Sequence, residues 1–264
     1  MSVLPFFFGS PDRRLFGCRH APLTAPTKAC GVVLSPPMGQ EYIRSHRAYR
    51  QLAVLLSEAG CHVLRFDYGG CGDSQHGPEA WRVRAWVDDL MAAIDEAKAR
   101  CGVAHVCVVG LRLGATLAMM AAAEREDVDS VALWEPVVDG AAYVESLEAW
   151  HRQTLWYPPA WHEDPYTGTR WREIVGFPLA EALIDDLRRI NLCELDLRAK
   201  RCLLVQDEAD EGTALLCRRL RGAGAAVEVG QHPGPKVWQQ EAERSLVPLR
   251  TLQSLVAWIA GEAE

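Results

Sequence analysis

The segment from Val106 to Ala123 predicts a strand, a tight turn and a helix in direct succession. Its first part is an apolar, mostly β-branched run that ends at Gly110, which is typical of a buried strand. Its last part, after Gly114, is rich in alanine and leucine and favours a helix. A buried strand that turns directly into a helix constrains the chain to a sheet with helices packed against it.

The turn itself reads Gly110-Leu111-Arg112-Leu113-Gly114. It resembles the nucleophile elbow of α/β-hydrolases, Gly-x-Ser-x-Gly, whose small flanking residues let a strained central residue project above the sheet edge. Here the central residue is Arg112, which stays protonated at physiological pH and has no oxygen or sulfur that could attack a carbonyl. A simple packing turn between a strand and a helix would show the same two glycines, so the pentapeptide alone leaves both interpretations open.

Strands and helices alternate on both sides of this segment. After an amino-terminal hairpin over 6–22, further buried strands are predicted at 29–34, 61–66, 128–134, 202–205 and 225–229. Further helices are predicted at 44–59, 78–100, 178–190, 211–221 and 246–260. This alternation predicts an α/β fold with a mostly parallel sheet covered by helices on both faces, which binds ligands at the carboxyl ends of its strands.

Residues 141–200 break the alternation. Four tryptophans lie there among prolines and charged residues: Trp150, Trp156, Trp161 and Trp171. Pro178 opens the one predicted helix of this segment. We interpret the segment as a helical cap inserted over the sheet edge, which divides the chain into a first core part (1–140), the cap (141–200) and a second core part (201–264). The tryptophans would either line an apolar pocket or seal the cap against the body.

Three other motifs each follow a predicted strand. Their order along the chain is the one expected of a protein with a nucleophile elbow. They are Ser35-Pro36-Pro37-Met38-Gly39-Gln40-Glu41, the turn from Asp67 to Ser74, and the segment from Leu133 to Gly140. The second resembles the Asp-x-x-Gly-x-Gly-x-Ser turn of α/β-hydrolases. With the elbow, the chain resembles the serine aminopeptidase-like α/β-hydrolases, and more narrowly the exosortase A system-associated hydrolases, some of which carry Gly-Leu-Arg-Leu-Gly at this turn.

The resemblance implies an α/β-hydrolase fold and a role in exopolysaccharide or other secondary biosynthesis. It also implies a catalytic set, in which Arg112 occupies the nucleophile position. The acid is expected after the strand that follows the cap, where Asp210 is the best match and Asp207 the second. The histidine is expected after the last strand, where His232 lies nearby but Val237 occupies the matching position.

The same resemblance implies that an oxyanion or other anion is bound by Met38 and Gly39, in the loop after the first buried strand, and by Leu113. Cys71 and Ser74 are conceivable substitute nucleophiles, but cysteines and serines in turns are usually structural. Because the nucleophile and histidine positions both depart from the pattern, we predict that standard Ser-His-Asp turnover is absent.

Arg112 has two alternative roles. Next to a helix amino terminus, its guanidinium would bind a carboxylate or another anionic group beneath the cap. Alternatively, it pairs with Glu41, Asp139 or Glu135 and braces the turn. The protein is therefore either a hydrolase-family enzyme that acts on or binds an anionic acyl, ester or peptidyl compound, or a non-catalytic binding or scaffold protein.

The net charge, the apolar segments and the cysteine content further restrict the class of protein. A net charge of -7 argues against a nucleic-acid partner, and no apolar run reaches the ~20 residues that cross a bilayer. The apolar start from Met1 to Phe8 lacks a preceding positive charge and is not interpreted as a signal peptide. Nine cysteines without a Cys-x-x-Cys pair favour a reducing cytoplasm. No metal-ligand spacing or dinucleotide motif occurs, so no cofactor is expected, and a homo-oligomer is left open.

Overall fold

The computed structural model describes residues 3–24, 31–196, 198–240 and 247–261. Its strands are β1 Val3–Ser10, β2 Arg13–His20, β3 Gly31–Ser35, β4 His62–Phe66, β5 Val106–Leu111, β6 Val128–Trp134, β7 Trp161–Glu163, β8 Arg170–Ile174, β9 Phe177–Ala180, β10 Arg201–Gln206 and β11 Ala226–Gln231. Its α-helices are α1 Gly39–Glu58, α2 Val83–Cys101, α3 Leu113–Ala123, α4 Gly140–Leu155, α5 Glu181–Arg188, α6 Glu211–Gly222 and α7 Leu249–Ala260. Short 3-10 helices occupy Pro78–Ala80 and Leu192–Glu194.

Within the described residues, eight strands form the main sheet in the order β1-β2-β4-β3-β5-β6-β10-β11. From β4 to β11 all neighbours are parallel, whereas the amino-terminal hairpin joins the edge of β4 in antiparallel fashion. Apolar side chains of α1 and α7 bury one face, and those of α2, α3 and α6 bury the other. The predicted mostly parallel sheet with helices on both faces is confirmed.

The register of the central strands fixes where the functional loops open. Gly110 at the end of β5 lies beside Ser35 of β3 and Leu133 of β6. Because these three strands are parallel, the segments that follow them leave the sheet at the same edge. The loop before α1, the turn before α3 and the loop before α4 are therefore neighbours.

The insertion between β6 and β10 is more complex than predicted. It contains α4 and α5 together with a small antiparallel sheet of β7, β8 and β9. The helix predicted to open at Pro178 is wrong in its start, because Pro178 lies in β9 and α5 begins at Glu181. β9 is an edge strand, where a residue without an N–H is tolerated. The boundaries 1–140, 141–200 and 201–264 stay a prediction.

The four tryptophans of the insertion have different surroundings. Trp150 is half-buried and packs against the main core, as expected for a sealing residue. Trp156 is 93% exposed and seals nothing in the described parts of the chain. Trp161 lies beneath the guanidinium groups of two arginines, and Trp171 stacks on His162 with 4.5 Å between ring centroids.

Some predicted helix starts also shift. α1 begins at Gly39 rather than Arg44, since Met38 is still extended and Gly39, with φ +56, turns the chain into the helix. The helix predicted over 78–100 is a 3-10 turn followed by α2, which begins at Val83. Among the described residues, no helix has both the length and the apolarity that crossing a bilayer requires.

Candidate functional site at the β5–α3 turn

The turn between β5 and α3 is a sharp, strained elbow. Arg112 is the N-cap residue of α3 and has φ 53 and ψ -124, a backbone conformation that residues with a Cβ rarely adopt. A Cβ on Gly110 would lie 2.3 Å from the carbonyl oxygen of Gly114, and one on Gly114 would lie 2.2 Å from that of Ser35. Because β5, α3 and the loop after β3 approach one another so closely, both positions require glycine.

The side chain of Arg112 is held by groups from three parts of the chain. Its Nε donates to Oε1 of Glu41 at 3.0 Å, and its Nη1 donates to the carbonyl oxygen of Glu135 at 3.4 Å. The guanidinium also lies 5.5 Å from the ring centroid of Tyr143 and 5.3 Å from that of Trp238. These distances fit cation–π contacts on two aromatic rings.

The carboxylate of Glu41 joins this cation to the insertion. Glu41 is 3% exposed, and its Oε2 accepts a hydrogen bond of 2.7 Å from the phenol of Tyr143 in α4. Burial, followed by the charge of Glu41, raises the pKa of Tyr143 well above its ordinary value, so the phenol keeps its proton. Burial lowers the pKa of Arg112, but Glu41, Tyr143 and Glu135 outweigh it and the net direction is upward. Arg112 is therefore a permanent cation paired with a buried carboxylate.

The two other acids considered as partners of Arg112 are engaged elsewhere. Glu135 has φ 49, and its Oε1 accepts a 2.6 Å hydrogen bond from the N–H of Asp207. Burial raises the pKa of Glu135. Asp139 caps α4 by accepting the N–H of Ala142 at 3.1 Å. Glu41 thus supplies the ion pair, whereas Glu135 contributes its carbonyl oxygen as an acceptor and the more distant charge of its carboxylate.

The predicted catalytic acids have local structural tasks. Asp210 is the N-cap of α6 and accepts the N–H of Thr213 at 2.8 Å within a capping box. Asp207 accepts the N–H of Gly234 at 2.9 Å and thereby fixes the loop after β11. In the described part of the chain, neither carboxylate contacts Arg112 or His232.

The loop after β11 brings an indole, rather than an imidazole, to the elbow. His232 donates its backbone N–H to Gln206, and its Nε2 is buried without a hydrogen-bond partner among the described residues. Val237, at the position expected for the histidine, is buried, and Trp238 beside it contacts Arg112. A small cavity is shared by the side chains of Glu135, Asp207, His232 and Trp238. His232 therefore lies near the partners of Arg112 but makes no contact with its guanidinium in the described structure.

Sequence reasoning missed Tyr143 and Trp238. Tyr143 lies on α4, which the helical pattern had not revealed, and Trp238 lies in a loop without periodicity. The mismatch of Val237 with the expected histidine was the one signal that this loop differs.

Met38, Gly39 and Leu113 lie at two neighbouring helix starts. Met38 caps α1, Gly39 opens it, and Leu113 opens α3. The first N–H groups of any α-helix have no partner within that helix, so this sheet edge carries two sets of backbone donors. Their use as an oxyanion or anion site stays a prediction.

Neither substitute nucleophile has the required environment. Burial raises the pKa of the Cys71 thiol to about 12, so a thiolate is disfavoured there. The hydroxyl of Ser74 donates to the carbonyl of Asp67 at 2.6 Å and accepts the N–H of Phe16 at 2.8 Å. Both residues stabilise the turn after β4.

Comparison with known proteins assigns the family. A family model described as serine aminopeptidase, S33, matches residues 42–173, which is half of the chain. The chain belongs to this S33 family. A human relative, protein ABHD12B, is 36% identical to the S33 chain over 96 residues, 35% of this chain and 25% of the relative. The chain thus spans about a quarter of that relative's length.

Solved structures support the same fold over nearly the whole S33 chain. DcsB in complex with its substrate analogue aligns with a TM-score of 0.69 at 14% identity, covering 99% of each chain. The esterase domain of a Rhodothermus marinus protein gives 0.66 at 19% identity, again covering 99% of each chain. Est1E from Butyrivibrio proteoclasticus, with ferulic acid bound, gives 0.64 at 17% identity and covers 97% of this chain and 99% of that one. The α/β-hydrolase fold is confirmed.

Proposed function

We propose that this S33-family protein is a binding or scaffold protein that has no Ser-His-Asp turnover. The observation that carries the proposal is the engagement of Arg112, at the elbow where the family resemblance places a serine, with the buried carboxylate of Glu41. A guanidinium cannot form an acyl-enzyme, because it has no hydroxyl or thiol to add to a carbonyl.

The surroundings of Arg112 support a bracing role. Glu41 belongs to α1, Tyr143 to α4 and Trp238 to the loop after β11, and all three contact each other through the cation or directly. The network therefore ties the insertion and the carboxyl-terminal loop to the sheet edge. A fixed edge of this kind suits a protein that presents a constant surface or pocket to a partner.

Activity-based labelling tests the loss of turnover. Wild-type protein is treated with a fluorophosphonate probe and with a panel of p-nitrophenyl esters, alongside an active serine esterase as a positive control. We expect neither labelling nor ester turnover above the buffer rate. Labelling of any serine, or turnover that disappears in His232→Gln, would overturn the proposal.

An anionic acyl, ester or peptidyl ligand at Arg112 is the second candidate, and one observation favours it. The Arg112 side chain is 18% exposed, and its Nη2 has no hydrogen bond to any residue that the structure describes. With Met38, Gly39 and Leu113 nearby, this nitrogen could receive a carboxylate at the start of α3.

Calorimetric titration with hexanoate distinguishes this candidate from pure bracing. Binding by wild type that is lost in Arg112→Ala, but retained in Arg198→Ala, would support it, since Arg198 is an exposed arginine paired with Asp196. Equal heats from wild type and Arg112→Ala would reject it.

The narrower resemblance to exosortase A system-associated hydrolases supports a setting in exopolysaccharide or other secondary biosynthesis, in the cytoplasm. We infer this setting from the Gly-Leu-Arg-Leu-Gly elbow and the motif order. Deletion of the gene in its host, followed by measurement of exopolysaccharide, tests the pathway. Fractionation of wild-type cells, followed by detection of the protein, tests its location. Unchanged exopolysaccharide would argue for secondary metabolism outside this pathway.

A further inference from the structure

A groove separate from the elbow lies between α1 and the paired strands β2 and β4. Its cavity volume is about 120 Å³. The side chains of Phe16 and Tyr49 contribute to its apolar surface, and Arg65 and Asp67 lie at its polar end. Its mixture of aromatic walls with a few polar groups is typical of small-molecule sites, and its small volume restricts it to a small ligand.

Arg65 is the cation of this groove. It lies on β4 opposite Cys18 of β2, and its side chain is partly buried. Its Nε donates to Nε2 of His20 at 3.2 Å. Among the described residues, its terminal nitrogens make no hydrogen bond and no carboxylate lies within ion-pair distance. A partly buried guanidinium usually has a carboxylate partner. Because Arg65 has none among the described residues, its two terminal nitrogens are available to a ligand.

His20 holds the guanidinium in one orientation. It is 2% exposed, and burial, followed by the charges of Arg65 and Arg50, lowers its pKa to about 4. The imidazole is therefore neutral near pH 7, and its Nε2 can accept the Arg65 hydrogen bond. An arginine fixed at Nε presents its terminal nitrogens as a fork, which matches the two oxygens of a carboxylate.

Two phenols of the groove already have hydrogen-bond acceptors. The phenol of Tyr42 donates to Asp67 at 2.7 Å, and Asp67 also accepts the N–H of Asp73 at 3.2 Å. The phenol of Tyr49 donates to the carbonyl of Ser35 at 2.8 Å. The carboxylates of Asp67 and Asp73 both lie at the groove, where they repel a doubly charged anion more strongly than a singly charged one.

We propose that this groove binds a small aromatic monocarboxylate, with its carboxylate on the terminal nitrogens of Arg65 and its ring against Phe16 and Tyr49. The aromatic walls favour a flat apolar body. Among the described residues that line the groove, Arg65 is the only arginine or lysine, and its position beside two acids favours a monoanion over a phosphate ester. This site uses neither Arg112 nor the proposed loss of hydrolysis.

Fluorine NMR of 4-fluorobenzoate with the full chain tests the site. We expect wild type to bind with a Kd of about 1 mM or tighter. The neutral 4-fluorobenzyl alcohol and the dianionic 4-fluorophenyl phosphate should each bind at least about tenfold more weakly. Absence of 4-fluorobenzoate binding by wild type, or equal binding of all three probes, would overturn the proposal.

Four variants locate the bound carboxylate. Arg65→Gln should weaken 4-fluorobenzoate binding at least about tenfold, whereas Arg47→Gln, which removes an exposed charge of α1 outside the groove lining, should not. Cys18→Leu places a larger side chain directly across from Arg65, fills the groove and should also abolish binding. Unchanged urea denaturation of Arg65→Gln and Cys18→Leu guards against a folding defect. Arg112→Ala should bind as wild type does. Loss of binding in Arg112→Ala with retention in Arg65→Gln would move the ligand to the elbow and refute this site.

Discussion

Glu41 and Arg112 form a buried ion pair across the β3 and β5 ends of the sheet, with 3.0 Å between Oε1 and Nε. The pair joins the first turn of α1 to the N-cap of α3. A buried cation without a partner is costly, so an arginine at this elbow requires an acid in reach. The phenol of Tyr143 satisfies the second oxygen of the same carboxylate.

Replacing Glu41 alone should therefore be strongly destabilising. Glu41→Gln leaves the mostly buried guanidinium of Arg112 without its ion-pair partner, and we expect the free energy of unfolding to fall by about 3 kcal/mol. Urea denaturation measures this change. Glu58→Gln, an exposed change on the same helix, should shift it by less than about 0.5 kcal/mol. The double variant Glu41→Leu/Arg112→Met should recover much of the loss. Equal effects of Glu41→Gln and Glu58→Gln would show that the pair is not a stabilising unit.

The second elbow glycine should not tolerate a methyl group. In Gly114→Ala the new Cβ would meet the carbonyl oxygens of Ser35 and Pro36 at 2.2 and 2.4 Å, and backbone cannot move aside cheaply. We expect a loss of about 3 kcal/mol or more in unfolding free energy. Gly222→Ala, at the end of α6 with open space around it, should be neutral or stabilising by up to about 1 kcal/mol. Comparable melting temperatures for the two variants would contradict the close approach.

The fold could be predicted because its signals are local. The apolar run before Gly110 and the alanines after Gly114 specify β5 and α3 whatever the rest of the chain does. The same local logic failed at Pro178, where a helix-opening proline and an edge-strand proline look alike in sequence. The site depended on contacts between distant segments. Glu41 could be named as a partner, but Tyr143 and Trp238 reach Arg112 only through the packing of α4 and the last loop.

The sequence around Asp210 is compatible with two roles, a catalytic acid and a helix N-cap. The family resemblance places a catalytic acid there, yet Asp210-Glu211-Gly212-Thr213 is also a helix start, and the side chain caps α6. Asp210→Ala should lower the free energy of unfolding by about 1 kcal/mol, because the N–H of Thr213 loses its acceptor. Asp210→Asn keeps an acceptor oxygen and should stay within about 0.5 kcal/mol of wild type. Chemical denaturation of the two variants measures the free energy of unfolding of each. An equal loss of stability in both variants would indicate that the charge, rather than the acceptor oxygen, is important.

The neutral imidazole of His20 should make the protein sensitive to acid. In the unfolded chain a histidine titrates near pH 6.5, whereas in the fold the pKa of His20 is lowered to about 4. Between these values the unfolded state binds the proton more readily, so the stability that His20 contributes is complete above about pH 6.5 and is lost as the pH falls toward 4, by up to about 3 kcal/mol. His46 and His62, whose pKa values are also lowered by burial, act in the same direction.

Urea denaturation of His20→Gln at pH 7 and pH 4.5 isolates the contribution of His20. Glutamine can still accept the hydrogen bond of Arg65 but does not titrate, so the fall in unfolding free energy on acidification should be smaller than in wild type by about 2 kcal/mol. His76→Asn, at an exposed position with φ 75, should keep the wild-type difference, because asparagine tolerates that backbone. If His20→Gln and wild type lose the same stability between the two pH values, His20 is protonated in the fold and does not orient Arg65 as a neutral acceptor.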